Sequence, residues 1–132
     1  MMNDADKILI TMLDGSEYEL ILTTNATRIF VEKYGGLEKL GEALLEETDQ
    51  TTKFREVVYI ISVLANQSVL INNMLNPENK KPEITEDMVN LLTTPFHFQE
   101  YNEKLIAVMR RDMTRNIKSE EPGDDEKNEP GA

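Results

Sequence analysis

The chain contains no cysteine and no tryptophan, and its aromatic side chains are limited to four tyrosines and four phenylalanines. Without cysteine, disulfide bonds and thiolate metal sites are excluded, and so is the class of small secreted proteins that disulfides hold together. A chain of 132 residues is long enough to bury one core, and aliphatic side chains must supply most of it. We therefore expect one small domain.

Histidine, the side chain that most often serves as a general acid or base, is equally scarce. His97 is the only histidine, and Glu100 is the one carboxylate at a helical spacing that could orient it as a general base. A packing or surface histidine is the more common reading of this pattern. No nucleophile motif follows a strand, Gly35-Gly36 fits a helix end better than a phosphate-binding loop, and the carboxylates near the C-terminus lack an EF-hand framework. The sequence predicts a protein that is not an enzyme, with no catalytic residue, metal site or cofactor.

Positive charge is in the minority. Lys and Arg number 14 against 25 Asp and Glu, for a net charge of −11. Such a charge opposes binding to nucleic-acid phosphates and to anionic membrane surfaces. One small basic cluster ends the last predicted helix, where the helix dipole favours cations: Arg110, Arg111, Arg115 and Lys118. We predict no nucleic-acid partner.

The sequence also shows no apolar run long enough to span a membrane and no signal peptide. The longest apolar stretch, Val57–Ala65, falls short of the roughly 20 residues that span a bilayer. The segment from Met1 to Asp6 is acidic and lacks the basic and apolar regions of a signal peptide. These features predict a cytoplasmic protein that does not bind membranes.

The N-terminal region predicts a β-hairpin over residues 7–22. Two β-prone segments, Lys7–Met12 and Glu17–Leu22, flank an Asp-Gly turn signal. A three-residue loop, Leu13-Asp14-Gly15, gathers the large apolar side chains on one face, with Gly15 in the left-handed position of a G1 bulge. That face would carry Ile8, Ile10, Met12, Tyr18, Leu20 and Leu22.

About five helices follow, so the fold class is mainly α with a small N-terminal β-hairpin. Caps, glycines and prolines mark the helix ends. The helices are Asn25–Tyr34 with Thr24 as N-cap, Leu37–Leu45, about Thr52–Leu75, a short helix from Glu86 with Thr85 as N-cap, and a last helix after Thr94-Pro95. The predicted domain covers residues 1–117. Residues 118–132 are acidic, contain proline and glycine, and predict a disordered tail.

Apolar residues cover more of the third helix than one stripe requires. Ile60, Val63, Leu70 and Met74 lie off its main stripe, so either neighbouring helices cover them or they form an exposed interface. The last predicted helix is also apolar on one side, which is a second candidate surface. The candidate partner-binding residues are Ile60, Val63, Leu70, Met74, Phe98, Tyr101, Met109 and Met113.

The order of these signals resembles a known family. The hairpin ILITMLDGSEYELIL (Ile8–Leu22), EKYGGL (Glu32–Leu37), VLANQ (Val63–Gln67) and PEITEDMV (Pro82–Val89) precede a closing helix and a charged tail. In this order they resemble the tail assembly chaperones of long-tailed bacteriophages and of prophages in Gram-positive bacteria. The resemblance extends over roughly residues 8–118.

The resemblance implies a specific role. Chaperones of this family are small, helical and non-enzymatic; they bind the tape measure protein, help recruit tail tube subunits and are absent from the finished virion. A homo-oligomer and a longer, frameshifted form are also compatible with it. The alternative, from another functional class, is an acidic phage-encoded inhibitor that mimics DNA and blocks a host nucleic-acid-binding protein; it requires an ordered double row of carboxylates on the folded body.

Overall fold

The computed structural model describes the backbone of residues 7–120 and the side chains of residues 7–113. The fold is mainly helical with an antiparallel N-terminal hairpin, as predicted. Its elements are β1 (Leu9–Thr11), β2 (Glu17–Glu19), α1 (Thr24–Tyr34), α2 (Leu37–Leu45), α3 (Gln50–Leu75), α4 (Glu86–Leu91) and α5 (Pro95–Glu120).

The hairpin has the predicted register. Ile10 pairs with Tyr18, and Thr11 pairs with Glu17. Gly15 has a φ of 86° and donates its N–H to the carbonyl of Met12 at 2.9 Å, which closes the three-residue loop with glycine in the left-handed region. Most of the apolar face is buried against the helices (Ile10, Met12, Leu20 and Leu22), and Ile8 and Tyr18 are partly buried. This contact stabilises a two-stranded hairpin that would be marginal by itself.

α1 begins one residue earlier than predicted. The side chain of Thr23, not that of Thr24, caps the helix by accepting the N–H of Ala26 at 2.9 Å. Gly35 ends α1 in the left-handed conformation, with a φ of 90°, as its position predicts. α2 follows at once and buries Leu40 and Leu44.

α3 is the central element of the fold. It begins after Asp49, whose carboxylate caps the helix at the N–H of Thr52, and it packs against α1, α2, α4, α5 and β2. The buried residues occupy its middle: Val57, Val58, Ile60, Ile61, Ser62, Leu64, Ala65, Gln67 and Val69. A helix that is apolar on most sides is stable in this position because neighbours cover most of its circumference.

The last two helices follow their predicted start signals. Thr85 caps α4 by accepting the N–H of Met88 at 3.2 Å. α5 begins at Pro95, since proline suits the first position of a helix. The helix continues to Glu120, three residues past the predicted end of the domain. The remainder of the predicted tail, residues 121–132, lies outside the described residues.

Candidate functional site

The structure divides the predicted partner-binding residues between core and surface. Ile60 and Tyr101 are fully buried and Met109 nearly so, which means that in this fold these side chains belong to the core and not to a surface. Val63 and Phe98 pack partly buried against the same core.

The remaining three candidates are more accessible. Leu70 is half-buried, Met113 is at the boundary of exposure, and Met74 is 73% exposed near the C-terminal end of α3. The eight side chains therefore do not form one surface.

Tyr101 is buried, and its hydroxyl attaches α5 to the hairpin. Its hydroxyl donates to the carbonyl of Thr11 at 2.7 Å, on the edge of β1 that faces away from β2. Burial, with a smaller contribution from the Glu100 carboxylate, raises the pKa of Tyr101 to about 12. Its function is structural.

Three exposed apolar side chains lie where the hairpin turn meets the α4–α5 connection. Phe96 is 87% exposed, Leu91 is 78% exposed and Leu13 is 58% exposed. The N–H of Leu13 donates to the carbonyl of Leu92 at 2.7 Å, which fixes the turn beside the end of α4. We call Leu13, Leu91 and Phe96 the junction patch.

The sequence interpretation missed the junction patch, although a signal for it exists. Each member is next to, or two residues from, an apolar residue that packs toward the core, such as Leu92 or Phe98. In a helix, neighbours differ by about 100° in direction, so paired apolar residues at a helix end cannot both face the core. Which of the pair points outward depends on the packing of the helix.

Two shallow clefts lie next to one another between the start of α3, α4 and the start of α5. Their volumes are about 220 Å³ and 210 Å³, and both are lined by Phe54 and Asn90. The Phe54 and Phe98 rings meet edge to face, with centroids 4.8 Å apart, so an aromatic pair forms one wall. We call the cleft lined by Phe54, Asn90, Thr93, Thr94, Pro95 and Phe98 the aromatic cleft.

His97 has a structural partner at the start of α5. Its Nδ1 accepts the backbone N–H of Thr94 at 3.0 Å, an arrangement in which the third helical residue reaches back to the cap residue. The carboxylate of Glu100, its predicted catalytic neighbour, lies instead 2.9 Å from the Nζ of Lys104. The histidine and the carboxylate are not brought together as an acid–base pair.

The described residues hold no group of three or more His, Asp or Glu side chains arranged for a metal ion. The carboxylate clusters near the C-terminus lie outside the described part of the chain.

The residues of the predicted basic cluster have different surroundings in the structure. Arg111 binds Asp112, with 2.7 Å between Nε and Oδ1, and donates to the carbonyl of Leu20 at 3.3 Å. Asp112 in turn accepts the N–H of Leu22 at 3.0 Å. This partly buried pair attaches α5 to the chain after β2. Arg110 is exposed, and the side chains of Arg115 and Lys118 lie outside the described side chains.

One helix in the described residues, α3, is long and apolar enough to cross a membrane by length and composition alone, and half of its most apolar window is buried in the fold. A core helix of a water-soluble protein meets the same criterion. The contacts of α3 with four helices and a strand agree with a core position.

Comparison of the chain with family models, with curated proteins and with solved structures gives no match. Other large apolar side chains within residues 7–113 are also exposed, among them Leu45, Met74 and Leu75. The junction patch differs from them because its member Phe96 directly follows Pro95, which lines the aromatic cleft.

Proposed function

We propose that this chain is a non-catalytic protein-binding module that holds an apolar helical segment of a partner, in the manner of the phage tail assembly chaperones it resembles. The partner would be the tape measure protein, with the tail tube protein as a second partner, in the host cytoplasm during tail assembly. The observation that carries the proposal is the exposure of Leu13, Leu91 and Phe96 around the hydrogen bond that joins the hairpin turn to the end of α4.

Exposed apolar side chains gathered in one place are typical of interaction surfaces, whereas single ones are normal on any protein. Covering a leucine or phenylalanine side chain completely contributes about 1.5–3 kcal/mol. A partner helix that covers all three members of the junction patch therefore gains part of its binding free energy there, from which the cost of association is subtracted.

The aromatic cleft supports the same function. It is rimmed by Pro95, one residue before Phe96, so a ligand on the patch reaches the cleft without crossing the core. Clefts lined by aromatic rings receive the anchor side chains of helical partners, and such anchors carry most of the binding energy. An aliphatic or aromatic side chain of the partner fits the wall that Phe54 and Phe98 form.

The net charge of −11 suits a protein that exposes apolar surface. Mutual repulsion between copies opposes aggregation through the junction patch. A chaperone for an aggregation-prone apolar helix needs both properties at once.

Coexpression with the tape measure protein of the same phage tests the proposal. We expect the tape measure protein to stay soluble and to co-purify with the wild-type chain, and to be lost to the pellet with the double variant Leu91→Asp/Phe96→Asp. The control is Leu45→Asp on α2, where a leucine that is 65% exposed lies outside the patch.

The control should behave as the wild type. A tape measure protein that fails to associate with the wild-type chain at any ratio, or that associates equally with the double variant, contradicts the proposal.

A further inference from the structure

We infer that the junction patch selects a basic amphipathic helix: an apolar stripe flanked by lysine or arginine. This inference rests on the proposed function, because it uses the same surface, but it specifies the chemistry of the partner. It depends on the charged residues that surround the patch.

On α5, carboxylates share the face of the exposed phenylalanine. Phe96, Glu100 and Glu103 are spaced i, i+4 and i+7, which puts all three on one side of the helix. Glu100 and Glu103 are exposed, and Glu100 also pairs with Lys104 at 2.9 Å.

α4 repeats the arrangement. Asp87 and Leu91 are spaced i, i+4, and both are exposed. Glu86, the neighbour of Asp87, lines the cleft beside the aromatic cleft. Each helix that presents an apolar member of the patch thus presents a carboxylate one turn away.

We call Glu86, Asp87, Glu100 and Glu103 the acidic rim. Arg55 lines the same cleft as Glu86, and Lys104 pairs with Glu100, so these two carboxylates have cations beside them. Asp87 and Glu103 are exposed, and they place negative charge one or two turns from Leu91 and Phe96.

An apolar centre with a rim of one charge sign is a common interface design. The centre supplies affinity, while the rim accelerates encounter with partners of opposite charge and rejects partners of like charge. A basic amphipathic helix is complementary to both the apolar centre and the acidic rim. An acidic helix of equal apolarity satisfies only the centre and is repelled by the rim.

Two synthetic helical peptides distinguish these cases. They share one leucine stripe, and their polar positions are all lysine in the first and all glutamate in the second. We expect the full chain to bind the lysine peptide and to lose at least about tenfold in affinity as salt rises from about 0.05 to about 0.5 M, because the rim is exposed and screened. The glutamate peptide should not bind.

Variants separate docking from general attraction to an acidic protein. Phe96→Asp adds negative charge, so general attraction predicts tighter binding of the lysine peptide, whereas docking on the patch predicts its loss. Asp87→Asn/Glu103→Gln should slow association about tenfold. The matched control Glu38→Gln/Glu42→Gln removes the same charge from exposed positions on α2, and association should stay within about twofold of the wild type.

Equal binding of the two peptides, equal effects of the rim and control variants, or unchanged binding by Phe96→Asp overturns the inference. Its failure is distinguishable from failure of the proposed function. If the tape measure protein co-purifies through Leu91 and Phe96 while the peptides are not discriminated, only the charge selection is wrong. If the lysine peptide docks as described and the tape measure protein does not associate, the partner is wrong and the surface stands.

Discussion

α3 and α5 have the same length, 26 residues each, and opposite characters. The charged residues of α3 are confined to its first two turns (Lys53, Arg55 and Glu56), and its middle is buried except for a partly exposed stripe that includes Tyr59 and Val63. α5 carries charge along its length, buries one side and exposes Phe96 at its start. The comparison separates a helix that forms the core from a helix that connects the core to the surface.

The polar side chains of the two helices also differ in use. On α3, Asn66 accepts the N–H of Ile84 at 2.9 Å and Gln67 accepts the hydroxyl of Thr23 at 2.6 Å, so α3 fixes the entry to α4 and the cap of α1. On α5, the polar side chains bind carbonyl and N–H groups of the hairpin and the residues after it: Tyr101 with Thr11, Lys104 with Leu9, Arg111 with Leu20 and Asp112 with Leu22. α3 is covered by neighbours on most sides, whereas α5 combines one buried apolar side with side-chain hydrogen bonds to the hairpin and the residues after it.

The largest effect should come from breaking the hydrogen bonds of α5. Asp112→Ala removes the acceptor for the N–H of Leu22 and deprives the partly buried Arg111 of its carboxylate, which should cost about 3–5 kcal/mol of unfolding free energy. Urea denaturation measures it, with the exposed Arg110→Ala as control. A loss below about 1 kcal/mol would show that packing alone attaches α5.

Disrupting the packing of α3 should reduce the unfolding free energy nearly as much. Ile60→Ala empties part of a fully buried site and should reduce the unfolding free energy by about 2–5 kcal/mol, whereas Met74→Ala on the same helix should stay within about 0.5 kcal/mol of the wild type. Thermal unfolding followed by circular dichroism compares the two. Equal stability of both variants would contradict the burial of Ile60.

A smaller effect on the unfolding free energy should appear at alkaline pH. Because folding raises the pKa of Tyr101 from 10.0 to about 12, the folded chain holds this proton more tightly than the unfolded chain. Its contribution to stability is complete below about pH 10 and is lost as the pH rises toward 12.

Tyr101→Phe should therefore make the loss of stability between these pH values less steep. Burial also raises the pKa values of Tyr34, which donates to Glu56, and of Tyr59, so a residual slope remains. Urea titrations at several pH values measure the slope, and identical slopes for variant and wild type would contradict the role of Tyr101.

The smallest effect on stability should come from the exposed start of α5. Phe96→Ser removes a side chain that is mostly in water, so the unfolding free energy should change by no more than about 0.5 kcal/mol. Binding to the lysine peptide should nevertheless fall. Loss of several kcal/mol of stability on this substitution would assign Phe96 to the core and remove it from the junction patch.

Much of the fold was predictable because its signals are local. The three-residue loop of the hairpin follows from the alternation of apolar side chains and from Gly15, and the ends of α1 and α4 follow from Gly35 and Thr85. The candidate surface was less predictable. Ile60 and Tyr101 were candidates for partner binding, and both are buried; periodicity describes one helix at a time and does not show what packs against it.

By itself, the sequence determined the fold class, the approximate helix ends and the hairpin register, since each depends on backbone preferences and on residues close together in the chain. It also determined the charge surplus. Only the tertiary structure decided which apolar side chains are covered: it placed Leu13 beside the end of α4 through one hydrogen bond to Leu92 and left Leu91 and Phe96 in water. Burial is a property of the packed neighbours, and these neighbours come from distant parts of the chain.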